Sequence, residues 1–128
     1  MQKLLSTTVI MFAVIASSFA QQTVASDFYL MKTPKDAENV LKAINLELHL
    51  SETEYAKLKD LLSASQKSQA EQFAETPAPN VDRTNVIKTR QTAHIESNLK
   101  ALVGSDKYNI YVRTKPAIEA KLIELKKN

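Results

Sequence analysis

The 128 residues contain no cysteine, no tryptophan and a single glycine, Gly104. Without cysteine there is no disulfide framework and no thiolate metal site, so the fold rests on packing alone or on a partner. One glycine is too few for the phosphate-cradling loops that nucleotide sites use. The same scarcity argues against a turn-rich β-sandwich or barrel. Histidine is almost as rare, with only His49 and His94. There is no HExxH, no acid–acid–His cluster and no serine in a GxSxG turn. The inventory therefore points away from an enzyme, and no cofactor is expected. A zinc site shared by His49 and His94 stays geometrically open, although two imidazoles alone fall short of the ligand sets zinc takes. No RNA- or DNA-binding motif occurs, so nucleic acid is not an expected partner.

Long hydrophobic runs are also missing, with one exception. Val9 to Ala16 is an unbroken apolar run, preceded by Lys3 and followed by the small-residue sequence Ser18-Phe19-Ala20. This is the three-part pattern of a cleaved secretory signal peptide over residues 1–20. The run is shorter than the roughly 20 residues a membrane span needs. A periplasmic or secreted protein follows, with no transmembrane segment after cleavage. From Gln21 onward the chain has 16 bases against 14 acids, a net charge of +2. The split is uneven: residues 21–80 carry 6 bases and 9 acids, residues 81–128 carry 10 bases and 5 acids. Such asymmetry serves two-fold or head-to-tail pairing or an anionic partner, and it equally describes solvated helix faces.

What is plentiful is Ala, Leu, Lys, Glu and Gln, the residues that favour helices. Residues 21–33 show no period and read as a loose arm, with Phe28, Tyr29, Leu30 and Met31 as a local apolar cluster that could dock onto the body or onto a second copy. The single domain is expected over residues 34–128. Thr33-Pro34 reads as an N-cap followed by proline at the first helical position. Ala37, Val40, Leu41 and Ile44 then form a helical stripe to about Leu46. Ser51 and Glu54 make a capping box for a second helix, with Leu50 placed to staple onto Tyr55. Its stripe runs through Leu58, Leu61 and Leu62. Beyond Leu62 the helix has little to bury apart from Phe73.

The prolines of "TPAPN", residues 76–80, end that helix. A third helix, capped by Asp82, runs to about Val103. The short linker makes the second and third helices an antiparallel hairpin. Their large apolar residues lie mostly away from the linker, which predicts a polar, mobile tip at the prolines and a core at the other end. Gly104-Ser105 separates a fourth helix, in which Pro116 predicts a kink or a restart with Thr114 as cap. The expected fold is all-α, a four-helix antiparallel arrangement around a long central hairpin.

The two tyrosine-bearing helix starts echo one another. Leu50-Ser51-Glu52-Thr53-Glu54-Tyr55 aligns with Val103-Gly104-Ser105-Asp106-Lys107-Tyr108, each an apolar residue, a turn residue, two polar residues, a long polar residue and Tyr. This resembles the paired LTxxQ motif of the Spy/CpxP family of small periplasmic proteins, over about Pro34 to Tyr111. Leu50 and Ser51 fit the pattern, whereas Glu54 and Lys107 stand where it has Gln, and Val103 and Gly104 replace Leu and Thr. The resemblance implies a thin, dimeric, all-α cradle. It also implies holding of unfolded or envelope proteins without ATP, or damping of an envelope stress sensor. A related branch binds zinc, to which the lack of cysteine is ill suited. The residues themselves leave open a dedicated interaction module or a purely structural helical protein. The motif residues Leu50, Ser51, Glu54, Tyr55, Val103, Gly104, Lys107 and Tyr108 are expected to be structural. Phe28, Tyr29 and Tyr111 are the candidates for an exposed client or partner surface.

Overall fold

The computed structural model describes residues 28–75 and 81–127, with the side chain of Val81 excepted. The signal sequence expected over 1–20, the start of the expected arm and the polar tip expected at 76–80 lie outside the described residues. The described residues form three helices and no strand: α1 (Pro34–Leu48), α2 (Glu52–Ala74) and α3 (Val81–Lys126). Each packs against both of the others. No helix among the described residues is long and apolar enough to cross a membrane.

α1 begins as its sequence predicts. The Thr33 hydroxyl accepts the Asp36 amide at 3.3 Å, and Asp36 Oδ2 accepts the Thr33 amide at 3.1 Å. This second capping box satisfies donors that the first helical turn would otherwise leave unpaired. The helix runs two residues past Leu46 and ends at His49, which takes the left-handed conformation (φ 51). Asn45 closes the corner from both sides: its carbonyl accepts the His49 amide and its Oδ1 accepts the Leu50 amide, each at 2.9 Å. Ser51 and Glu54 form the predicted box at the start of α2, at 3.2 and 2.9 Å.

The hairpin of α2 and α3 is antiparallel, and Ser65 Oγ donating to Gln91 Oε1 at 2.7 Å sets its register. In that register Leu62 falls level with Ile95 and Leu58 with Leu99, and all four are buried. An antiparallel pair of helices places residues of constant index sum side by side. The 65/91 bond has an index sum of 156 and the pairs 62/95 and 58/99 have 157, so all three share one register to within a residue.

Four helices were expected; three helical elements are observed, because the last two are one element bent at Gly104. Gly104 has φ 84 and ψ 171, a region that a side chain makes costly. The first arm of α3, residues 81–103, and the second, residues 105–126, fold back on each other. The Tyr111 hydroxyl donates to Glu96 Oε2 at 2.7 Å and Lys115 Nζ lies 2.5 Å from the same oxygen. Fifteen residues of straight helix would hold Glu96 and Tyr111 roughly 22 Å apart. Pro116, by contrast, produces no restart: the second arm stays helical across it. Thr114 is not a cap there. Its hydroxyl donates back to the Ile110 carbonyl at 2.6 Å, the i−4 bond that a threonine makes inside a helix.

The core lies where α1, the segment before it, α2 and both arms of α3 converge. Val40, Leu41 and Ile44 of α1 meet Leu58 and Leu62 of α2 and Ile95, Leu99, Ile118 and Leu122 of α3. The segment before α1 corrects the sequence reading. Residues 28–31 are not a loose arm: Phe28, Tyr29 and Met31 are buried in the same core.

Candidate functional site

Two places in this fold bring together residues that the sequence singled out. The first is the meeting of the two echoing helix starts. Glu54 lies in the first turn of α2 and Lys107 in the first turn after the Gly104 bend. Lys107 Nζ sits 2.5 Å from Glu54 Oε1 and donates to the His49 carbonyl at 3.3 Å. The position occupied by Glu in one copy of the motif thus faces the same position, occupied by Lys, in the other. The pairing holds the Glu54 carboxyl below the usual carboxylate range. The Lys107 hydrogen bond is the main cause, followed by the Ser51 backbone amide.

Apart from this pair the copies are not equivalent. Ser51 caps through its side chain, while Gly104 has none and serves as the bend. Lys107 carries only donors and cannot return to an amide as Glu54 does; it reaches across to α2 instead. Leu50, Tyr55, Val103 and Tyr108 are half-buried and pack against the core. Sequence reasoning treated Glu54 and Lys107 as two separate departures from a pattern. The signal it missed was their opposite charge at matching positions. No cluster of three or more metal-ligating side chains exists among the described residues.

Beside this junction a shallow groove opens on the surface, lined by Lys42, Asn45 and Leu46 of α1, Tyr55 of α2, and Lys121 and Leu125 of α3. Leu46 is 53% exposed. The lining places apolar Leu46, Tyr55 and Leu125 between two lysines.

The second place is the cleft beneath residues 28–32. Gln69 of α2 is fully buried and makes two bonds to the main chain of that segment. Its Oε1 accepts the Met31 amide at 2.9 Å and its Nε2 donates to the Tyr29 carbonyl at 3.0 Å. Gln66 Nε2 donates to the Lys32 carbonyl at 3.0 Å. Ser65 orients Gln69 through a 3.1 Å bond to its Nε2. Lys32 Nζ lies 4.9 Å from the centre of the Phe73 ring, a cation–π distance. The sequence reading left this part of α2 with little to bury. It buries polar side chains, because a non-helical segment lies on it and its backbone groups need partners.

Phe28, Tyr29 and Tyr111 therefore do not form an exposed client surface: they are 6%, 1% and 0% exposed. Phe28 and Tyr29 stack edge to face, with centroids 4.7 Å apart. The Tyr29 and Tyr111 hydroxyls are 2.9 Å apart, and Tyr111 passes the chain of bonds on to Glu96. Burial pushes both phenols well above the usual tyrosine range, and the carboxylate of Glu96 adds to the effect. A loose arm was a fair reading of an aperiodic stretch; the partners that pin it sit 40 and 82 residues away.

No family model matches the chain, and comparison with curated proteins and with solved structures finds no relative.

Proposed function

We propose that the chain is an exported, envelope-located helical protein that holds unfolded or partner proteins without ATP. The observation that carries this reading is the groove beside the motif junction. There Leu46, Tyr55 and Leu125 form apolar surface between Lys42 and Lys121, suited to weak contact with exposed apolar segments and their acidic neighbours. The resemblance to the Spy/CpxP family supports it from a second side. The two departures from the family pattern, Glu54 and Lys107, compensate each other in space, as paired substitutions at one contact would. On this reading the bend at Gly104 makes a four-helix antiparallel body, a second copy completes a thin cradle as a homodimer, and residues 1–20 are the export signal.

Light scattering of a reduced, aggregating model client tests the proposal. The chain from Gln21 onward is expected to suppress scattering at several-fold excess, and Leu46→Asp to weaken that suppression at unchanged stability. No suppression by a folded chain sinks it. A dedicated module for one envelope sensor is the second reading, favoured by the charge split between residues 21–80 and 81–128. Pull-down from an envelope extract separates the two: one stoichiometric partner supports the module, many weak clients the holder.

A further inference from the structure

The cleft beneath residues 28–32 has the construction of a peptide receptor. The three hydrogen bonds that Gln66 and Gln69 make to the segment all go to its backbone atoms: the Tyr29 carbonyl, the Met31 amide and the Lys32 carbonyl. Such bonds are indifferent to side-chain identity, since every residue but proline offers the same donor and acceptor. One carboxamide that bonds the carbonyl of one residue and the amide of the second residue after it grips a non-helical stretch of main chain. A helix would have spent those groups internally. The receptor side also has bonds of its own that do not involve the segment, with Gln69 held by Ser65 and Ser65 by Gln91. Selectivity comes from the walls, where Phe28, Tyr29 and Met31 are buried among the apolar side chains of the helices.

We propose that this cleft is a binding site for a non-helical segment of a non-native protein bearing adjacent aromatic residues and a further apolar residue two positions on, and that residues 28–32 are its occupant in cis. The inference rests on the holding function proposed above and assigns it a site. The cis segment keeps the cleft closed when no client is present. Its short tether gives it an effective concentration on the order of millimolar, so a client must compete with it. Three features make exchange chemically even. The backbone bonds broken in cis are remade in trans, the aromatic and apolar walls are refilled, and the released arm returns to water only what the client buries.

The test uses the mature chain and a fluorescent synthetic peptide of residues 26–33, "SDFYLMKT". Against the unaltered chain the peptide is expected to bind only in the millimolar range. Against Phe28→Ala/Tyr29→Ala, in which the cis segment is loosened, binding should tighten roughly tenfold or more as the internal competitor weakens. Adding Gln69→Leu to that variant, which keeps the side-chain size and removes the amide, should abolish binding. Circular dichroism establishes that each variant is helical. Hydrogen exchange on the unaltered chain is the second measurement, independent of any variant's folding. At several millimolar peptide, the Met31 amide should lose protection while the amides of α1 keep theirs. Unchanged protection at Met31, or binding indifferent to Gln69→Leu, overturns the proposal. So does a peptide-independent dimer in which arms are exchanged between copies. If the chain suppresses client aggregation while the peptide leaves Met31 protected, the cleft assignment fails and the holding function stands. If the peptide enters the cleft and no client is held, the reverse is true.

Discussion

At the scale of single residues, the most consequential side chains here are polar ones in buried positions. Tyr29, Tyr111 and Glu96 form a chain of hydroxyl and carboxylate, with Lys115 beside the carboxylate end. A buried hydroxyl is stabilising while both of its partners are present and becomes a liability when one is removed. Tyr111→Phe leaves the Tyr29 hydroxyl and Glu96 without their shared partner and should destabilise the chain by about 1–3 kcal/mol in urea unfolding. The phenols also set an alkaline limit. Their folded pKa values lie above the unfolded value of about 10, so the neutral form favours the folded state. That stability is complete below pH 10 and is lost as the pH rises beyond it. Absorbance titration should show Tyr29 and Tyr111 ionising only together with the loss of helical signal. Ionisation of all four tyrosines in the folded chain would contradict the burial of this pair.

At the scale of elements, the helix starts and the bend carry the argument. Ser51→Ala removes the hydroxyl that accepts the Glu54 amide and should cost about 1 kcal/mol. Ser51→Gly should cost less, only a few tenths. If Ser51→Ala instead impaired client holding at unchanged stability, the structural role of this residue would be wrong. Gly104 is a cleaner case. A β-carbon built there meets nothing within 4 Å, so crowding plays no part. The cost of Gly104→Ala is backbone strain at φ 84, about 1–3 kcal/mol by thermal or urea unfolding. α1, with its capping box, its proline at the first position and its apolar stripe, was legible to within two residues. The bend was legible as a boundary between antiparallel helices, although not as a single bent element, because one glycine announces a break without saying how few residues the break takes. Of the kink or restart expected at Pro116, the restart is absent: proline removes a donor wherever it stands, without obliging the helix to begin again.

At the scale of the whole molecule, Lys107 is the long-range fastener. It ties the start of the second arm of α3 to the corner between α1 and α2 through Glu54 and the His49 carbonyl. Both side chains are less than a third exposed, at 31% for Lys107 and 20% for Glu54, so solvent screens the pair only in part. Reversing one charge with Glu54→Lys should destabilise, and adding Lys107→Glu should restore about 0.5–1 kcal/mol, read from a double-mutant cycle in urea. The pH dependence has a definite sign. The Glu54 carboxyl titrates lower in the folded chain than its unfolded value of about 4.3. The stability it contributes is therefore present above that value and is lost as the pH falls through the folded pKa. Glu54→Gln should lower stability at neutral pH, leave it little changed below the folded pKa, and so make the acid side of the stability profile shallower. An unaltered acid limb would show that the pair contributes nothing.

Much about this protein follows from local order along the chain. The all-α class, the caps at Thr33 and Ser51, the antiparallel hairpin and the break at Gly104 all depend on residues within a few positions of one another. Propensity, capping and periodicity are properties of such short stretches. The tertiary structure alone decided the rest. The pairing of Glu54 with Lys107, the clamp of Gln69 on the segment before α1, and the burial of Phe28, Tyr29 and Tyr111 join residues 38 to 82 positions apart, with no period to announce them. Aromatic residues in an aperiodic stretch look the same whether they face water or a cleft. What distinguishes the two is the surface offered by another part of the chain, here two glutamines on a helix stretch whose pattern leaves little apolar to bury.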